Sequence, residues 1–181
     1  ILVTTGTLTS ARLMAERLPG RSFHQFVPID RLAWIRRFLD HWRPDLVLWM
    51  ESELWPNALS ELRRREIPAI MVNARMSARS FRRWRPFSGA AAHLLSTFNL
   101  CLAQTELQAE RLRALGAAQV RFRGNLKFSA APLPAGGIEL ENLRRDVDGR
   151  PLWLAASTHP GEDAMVFEAH RLMRRTMPNL L

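Results

Sequence analysis

The sequence predicts an α/β fold with a doubly wound parallel sheet over its first 130 residues. Short apolar runs alternate there with amphipathic helical patterns, as in sheets whose two faces are both covered by helices. The 181 residues are 47% hydrophobic and 24% charged, close to the average for globular proteins. At roughly 150 residues per domain, the length allows one large domain or one domain with part of a second.

The elements follow one another in a regular order. Residues 1–5 form a β-branched, apolar strand, and Gly6 separates it from an amphipathic helix that reaches residue 18. Further strands are predicted at 23–27, 45–50, 69–72, 98–103 and 119–122. Helices are predicted between them at 31–42, 56–65, 81–96 and 106–115. The apolar side of the 31–42 helix could lie on a membrane surface, but core packing is the favoured interpretation.

A domain boundary is expected after residue 130. Ala, Pro and Gly dominate the segment after Ser129, and a polar helix follows to about residue 147. A buried-type strand at 151–156 and a helix that reaches about residue 175 then begin a second α/β unit. The predicted division is 1–130, 131–150 and 151–181. Because strand-like segments open and close the chain, we expect a fragment of a longer protein.

Charge and composition narrow the partners. A net charge of +9 favours an anionic partner such as a phosphate, a sugar acid, a phospholipid surface or a nucleic acid. The single cysteine, Cys101, lies in an apolar run and reads as a buried strand thiol. No apolar stretch is long enough to span a membrane. The histidines lack metal-ligand spacing, so neither a metal nor a cofactor is expected.

Two carboxylates follow the predicted strand at 45–50. The carboxyl ends of parallel strands face the ligand crevice in open α/β sheets, so Glu51 lies where catalytic groups usually lie. Glu53 comes two residues later, just before a helix with Pro56 near its start. Either carboxylate could instead only complement the helix N-terminus, and for Glu53 the two readings are about equal.

Lys127 is the only lysine among 26 basic residues, and it follows the last strand of the first unit. An ammonium is a compact point charge whereas guanidinium is a planar fork, so a site that stabilises one developing anion can require lysine. Alternatively, Lys127 has no special role and is a lysine that occurs by chance on a solvent-exposed loop.

An arginine-rich segment follows the strand at 69–72. Asn73 and Arg75 come directly after that strand and are expected at the same crevice as Glu51. The cations farther along, up to Arg85, read as a solvated helix face. With Phe81 and Trp84, however, they also suit nucleic acid binding.

Two turns could hold an anion. Thr5 and Gly6 stand between the first strand and its helix, and Ser157, Thr158 and His159 precede the last helix. Simple helix capping explains both turns equally well, and neither has the spacing of a nucleotide-binding glycine motif.

Five ordered segments together resemble the bacterial 3-deoxy-D-manno-octulosonic acid (Kdo) transferases of lipopolysaccharide synthesis. They are TTGT at 4–7, MESELWPN at 50–57, NARMSARS at 73–80, GNLKF at 124–128 and ASTHPGE at 156–162. The resemblance implies a GT-B glycosyltransferase, in which a Rossmann-like N-terminal domain handles the acceptor and a second one binds the nucleotide. Pro160 departs from the acidic residue of some relatives, which puts a charge contact at that helix start in doubt.

The resemblance also implies the chemistry. Members transfer Kdo from CMP-Kdo to a lipid A precursor, with inversion and without a metal, at the cytoplasmic face of the bacterial inner membrane. Glu51 and Lys127 match the residues that stabilise the transition state. The general base, a glutamate, would lie upstream of residue 1, and the CMP-binding loops beyond residue 181, so the fragment by itself is expected to be inactive.

Two alternatives stay open at this point. One is another GT-B sugar transferase with a different nucleotide donor. The other is a basic nucleic-acid-binding module, which leaves the Glu51 motif unexplained. The transferase interpretation is favoured, with CMP-Kdo, a lipid A precursor and an anionic membrane surface as partners and no nucleic acid.

Overall fold

The computed structural model describes residues 1–130 and 136–181. The chain divides into two compact units, Ile1–Ala130 and Ala131–Leu181. Within the described residues, no helix has the length and apolar character needed to cross a membrane.

The first unit alternates strands and helices as the sequence predicts. Its strands are β1 (Leu2–Thr5), β2 (Phe23–Phe26), β3 (Val47–Met50), β4 (Ala69–Ala74), β5 (Leu100–Ala103) and β6 (Val120–Phe122). Its helices are α1 (Leu8–Arg17), α2 (Leu32–Trp42), α3 (Pro56–Arg64), α4 (Ala78–Trp84), α5 (Ser88–Leu95) and α6 (Glu106–Ala114). Side-chain caps begin three of these helices, because Thr7, Ser77 and Thr105 each accept a hydrogen bond from a first-turn amide.

Every strand pairing in the part of the chain that the structure describes is parallel. β1 pairs with β2, and β3, β4, β5 and β6 form a second ladder in that order. Parallel neighbours require helical crossovers, which α1 and α3 to α6 supply. The predicted α/β fold with a parallel sheet is confirmed. Within the described residues, the sheet is divided between β1 and β3 rather than continuous.

The core lies between the β3 to β6 ladder and its helices. The largest fully buried side chains include Leu59 of α3, Met71 of β4, Leu95 of α5 and Leu112 of α6. Cys101 of β5 is buried with them, as predicted, and burial raises the pKa of its thiol to about 12.

Helix α2 also packs into the protein. Its Ile35 and Leu39 are buried and Phe38 lies against the core, which supports core packing rather than membrane binding by this helix. Among the residues that the structure describes, none before Ile35 is fully buried.

The predicted helix at 81–96 is wrong in its bounds. Helix α4 begins earlier, at the Ser77 cap, and a 3₁₀ turn at Arg85–Phe87 separates it from α5. Pro86 explains the break, because proline has no N–H to donate and its ring clashes with the preceding helical turn.

The second unit contains α7 (Gly137–Val147) and α8 (Glu162–Met173). The predicted strand at 151–156 is not assigned, and the last predicted helix begins at Glu162. Leu181 nevertheless donates to the Pro151 carbonyl at 2.9 Å and accepts from the Trp153 N–H at 3.1 Å. This is the pattern of a parallel strand pair, so the segment has extended pairing too short to count as a strand.

Candidate functional site

Glu51 leaves β3 in a left-handed conformation. Its φ is +61°, and its N–H donates to the Val72 carbonyl at 2.9 Å, which keeps it attached to β4 at the last rung of the ladder. A non-glycine residue with positive φ is uncommon and strained. The strain turns the chain sharply at the carboxyl edge of the sheet, where the half-exposed Glu51 side chain lies.

Neither candidate carboxylate caps helix α3. Asp30 does so instead, because its two carboxylate oxygens accept from the N–H groups of Asn57 at 3.1 Å and Ala58 at 2.8 Å. The Glu53 carboxylate accepts from the indole N–H of Trp55 at 3.1 Å. Asp30, rather than Glu51 or Glu53, therefore provides the cap hydrogen bonds of α3. Asp30 was missed because it lies 27 residues before Asn57.

Lys127 reaches Glu51 across the edge of the sheet. Its Nζ lies 3.7 Å from Glu51 Oε1, with side-chain exposures of 74% and 51%. Strands β3 and β6 are three spacings apart, about 14 Å, so this approach requires the chain after β6 to run back along the carboxyl edge. An ion pair this exposed is worth about 0 to 1 kcal/mol, so both groups remain available to a ligand.

Asn73 holds that returning segment in place. It is 4% exposed, its φ is +56°, and it lies at a register irregularity between β4 and β5. Its Oδ1 accepts from the Leu126 N–H at 3.1 Å, and its carbonyl accepts from the Gln104 side chain at 3.0 Å. Asn125 Oδ1 accepts from the Lys127 N–H at 3.1 Å. These bonds fix the backbone on which the lysine stands.

Arg75 is joined to the Glu51 turn through its backbone. Its N–H donates to Ser52 Oγ at 2.6 Å, and its side chain is exposed. Ser52 was not selected from the sequence, where nothing distinguishes it from an ordinary turn serine. The structure thus brings Glu51, Asn73, Arg75 and Lys127 together at one edge.

The aromatic residues of the arginine-rich segment do not form a stacking surface. Phe81 and Trp84 are partly buried against the core, whereas Arg82, Arg83 and Arg85 are exposed. Binding of single-stranded nucleic acid relies on aromatic faces open to the bases. The segment fits the predicted solvated helix face better than a nucleic acid interface.

Thr5 and Gly6 lie in the other ladder, at the carboxyl end of β1. Thr5 Oγ1 is 2.8 Å from His24 Nε2, and Thr7 provides the cap of α1. Together with Glu53 they line a cavity of about 1060 Å³. Within the described residues, no hydrogen bond or ion pair joins Thr5 or Gly6 to Lys127 or Glu51.

The second unit carries the remaining candidates. Ser157 has a φ of +59°, and the His159 N–H donates to Glu162 Oε2 at 2.9 Å. Gly161 is the N-cap residue of α8 and makes no side-chain cap bond, so neither Ser157 nor Thr158 caps this helix. The described residues contain no cluster of three or more His, Cys, Asp or Glu side chains that could hold a metal ion.

The sequence of the chain is similar to those of known proteins. The sequence model of the family described as "3-Deoxy-D-manno-octulosonic-acid transferase (kdotransferase)" matches residues 1–130. Proteins named 3-deoxy-D-manno-octulosonic acid transferase are similar over nearly the whole chain. The one from Rickettsia felis is 35% identical over 165 residues, 91% of this chain and 35% of the relative.

Two further relatives extend the match. The protein from Haemophilus influenzae is 34% identical over 184 residues, which cover 100% of this chain and 43% of the relative. The one from Bordetella pertussis is 35% identical over 174 residues, 93% of this chain and 40% of the relative. The chain therefore spans less than half the length of these curated relatives.

Proposed function

The chain belongs to the 3-deoxy-D-manno-octulosonic acid (Kdo) transferase family, and we propose that the protein containing it transfers Kdo from CMP-Kdo to a lipid A precursor. Transfer would invert the anomeric centre and serve lipopolysaccharide synthesis at the cytoplasmic face of the inner membrane. In this proposal, residues 1–130 form the acceptor domain of a GT-B enzyme, and the chain from residue 151 begins the nucleotide-binding domain.

One observation supports the proposal most directly, the 3.7 Å approach of Lys127 Nζ to Glu51 Oε1. The two residues are 76 positions apart, and the sequence indicates each of them on separate chemical grounds. The contact places a cation and an anion side by side at the carboxyl edge of a parallel sheet, where ligands of α/β proteins bind.

The pair suits the charges of this reaction. Departure of CMP leaves positive character at the anomeric carbon and negative charge on the leaving phosphate. In the proposed mechanism, Glu51 stabilises the positive centre and keeps the Lys127 ammonium in place. Lys127 neutralises the leaving phosphate or the Kdo carboxylate. The net charge of +9 favours association with an anionic lipid surface.

The other candidate residues would bind substrate. Thr5, Gly6, Glu53, Asn73 and Arg75 belong to the proposed acceptor domain, and the exposed Arg75 side chain offers a cation to the anionic acceptor. Ser157, Thr158 and His159 precede α8, whose N-terminus favours a phosphate of the donor.

Transfer of labelled Kdo by the natural gene product tests the proposal. We expect Lys127→Ala and Glu51→Gln each to lower kcat by about 100-fold or more, the usual effect of removing one transition-state contact. Two control variants make the same charge changes at exposed helix positions. Arg83→Ala removes one positive charge, as Lys127→Ala does, and Glu110→Gln removes one negative charge, as Glu51→Gln does. Both controls should retain activity. No transfer by the folded natural protein would overturn the function, whereas near-normal turnover of both site variants would overturn only the site.

A further inference from the structure

A tryptophan side chain closes the turn that carries Glu51. The indole N–H of Trp49, the last residue but one of β3, donates to the main-chain carbonyl of Glu53 at 2.8 Å. Glu51 lies midway along the chain between these two residues. Within the described residues, no backbone N–H donates to the Glu53 carbonyl, so the indole is its hydrogen-bond partner.

The core fixes the direction of that indole. The Trp49 ring packs edge-on against Phe98, with ring centroids 6.3 Å apart, and against Trp55 at 6.0 Å. Phe98 is 2% exposed and belongs to the hydrophobic core, against which Trp49 is partly buried. Aromatic pairs in this arrangement are favourable and have a specific geometry. The hydrogen bond therefore ties the turn to a side chain that is itself packed.

Glu51 needs such support because its backbone is strained. Its φ is +61°, a conformation that non-glycine residues hold only where the surrounding structure imposes it. Its own N–H donates to the Val72 carbonyl at 2.9 Å, and the hydroxyl of Ser52 accepts from the Arg75 N–H at 2.6 Å. Both bonds attach the turn to β4 and the residue that follows it. Trp49 attaches the far end of the turn, which leads into α3.

The Glu51 carboxylate depends on this turn for its position. Its one polar contact within the described residues is the 3.7 Å approach of Lys127 Nζ, and about half of the Glu51 side chain is exposed. An ion pair so exposed contributes little and does not by itself hold a flexible side chain in place. The backbone conformation of the turn therefore decides where the carboxylate lies relative to Lys127.

We propose that Trp49 is a positioning residue, whose indole N–H holds the Glu51 turn in the conformation that presents the carboxylate to Lys127. The inference rests on the proposed function, since that function gives Glu51 its part in stabilising the transition state. In this role Trp49 acts through the Glu53 carbonyl and makes no contact with the reacting atoms. Loss of one such hydrogen bond shifts a local equilibrium by about three- to tenfold.

Trp49→Phe in the natural gene product separates the hydrogen bond from the packing. Phenylalanine keeps an aromatic ring against Phe98 and removes the N–H donor. We expect kcat for Kdo transfer to fall by about threefold or more at saturating donor and acceptor, with both KM values within about twofold of the natural ones. A smaller fall in kcat, or a loss of activity through KM alone, would overturn the positioning role.

An isosteric replacement tests the N–H group alone. In benzothienylalanine a sulfur atom replaces the indole N–H, and the two fused rings keep their shape. Trp49 replaced by this analogue should therefore pack as the natural residue does and still lose the hydrogen bond to Glu53. We expect the same fall in kcat as for Trp49→Phe, and natural turnover with the analogue would overturn the proposal.

A double-substitution cycle with Glu51→Gln shows which group Trp49 acts through. If the indole serves to position the Glu51 carboxylate, Trp49→Phe should change the residual kcat of Glu51→Gln by less than about twofold. A general packing defect would instead lower kcat by the same factor in both backgrounds. That outcome would overturn the proposal.

Trp84→Phe is the matched control for the loss of an indole. Trp84 is also partly buried against the core, and its N–H makes no hydrogen bond within the described residues. We expect its kcat to stay within about twofold of the natural value, because sites without a shared partner act independently. Equal falls in kcat for Trp84→Phe and Trp49→Phe would show a general effect of removing an indole and would overturn the proposal.

Amide hydrogen exchange tests the turn independently of Kdo transfer. Trp49→Phe should accelerate exchange of the Glu51 amide by about threefold or more relative to the Cys101 amide, which donates to the Gln119 carbonyl at 2.8 Å. Equal acceleration at both amides would indicate general destabilisation and would overturn the proposal. Selective acceleration at Glu51 in a natural protein that transfers no Kdo would overturn the proposed function, and with it the role in catalysis, while the hydrogen bond still holds the turn.

Discussion

The side chain of Asn73 in β4 holds the segment that follows β6, which is distant in the sequence, by a hydrogen bond. Its Oδ1 accepts the Leu126 N–H at 3.1 Å, so the last residue but one of β4 holds the backbone next to Lys127. Asn73 itself is buried and has a φ of +56°. Asparagine is among the few residues that tolerate this conformation while also offering a side-chain acceptor.

A pair of substitutions separates these two properties. Asn73→Gly keeps the positive φ and removes the acceptor, whereas Asn73→Ala removes the acceptor and adds about 1 kcal/mol of backbone strain. We expect both variants to lower Kdo transfer by a similar factor, about tenfold or more, because both release the Lys127 segment. Urea midpoints should show the alanine variant to be the less stable one. Normal kcat in the stable glycine variant would contradict a positioning role for the side chain.

Lysine at position 127 should not be replaceable by arginine. The guanidinium is longer, planar and forked, so it cannot place a point charge 3.7 Å from Glu51 Oε1 in the same way. We expect the kcat of Lys127→Arg to be at least tenfold lower than that of the natural protein. It should still be higher than the kcat of Lys127→Ala. The measurement is labelled Kdo transfer at saturating donor and acceptor. Full activity of the arginine variant would mean that only the charge matters.

The repeating pattern of the chain made much of this site predictable. Glu51 directly follows β3 and Asn73 lies near the end of β4. The carboxyl ends of parallel strands meet at one edge, so the proximity of these two residues followed from the fold class. Lys127 was selected for its chemistry as the only lysine. No local pattern, however, indicates that the chain after β6 runs back across the edge.

Other features depend on contacts between distant segments, which one sequence does not reveal. Asp30 caps α3 from across the fold, and Ser52 matters only because the Arg75 N–H lies 2.6 Å from its hydroxyl. The break at Pro86 was missed because the apolar pattern continues through it, although proline marks the boundary. Pairing at 151–156 is short in the described structure, so its apolar run did not become a strand.

Glu61 makes the stability of the first unit sensitive to acid. Its buried carboxylate accepts from Arg64 at 2.8 Å and from Arg36 at 3.0 Å. The hydrogen bond with Arg64 lowers the pKa of Glu61 most, burial opposes this, and Arg36 lowers it further, to about 2. Because the folded pKa is depressed, the stabilisation is complete above about pH 4.5 and is lost as the pH falls towards 2.

Urea unfolding of the natural protein between pH 5 and pH 2 measures this contribution. We expect Glu61→Gln to be less stable at pH 7 by about 1 to 3 kcal/mol and to lose less stability on acidification. Glu110→Gln, at an exposed position of α6, is the matched control and should keep the acid dependence of the natural protein. Parallel pH profiles for the natural protein and Glu61→Gln would contradict this role of the carboxylate.

Gly116 is required by close packing between the end of α6 and helix α5. Its φ is +97°, and a Cβ built there would lie 3.0 Å from the backbone Cα of Ala92, closer than the helix can accommodate without moving. We expect Gly116→Ala to lower the free energy of unfolding by about 2 kcal/mol or more, through strain and overpacking together.

Gly89→Ala is the matched control, because a Cβ at that helical position meets no atom within 4 Å. Alanine there should leave stability unchanged or raise it by up to about 1 kcal/mol. Urea denaturation of both variants measures the difference. Equal midpoints for Gly116→Ala and Gly89→Ala would show that α5 can move away from residue 116 with little loss of stability.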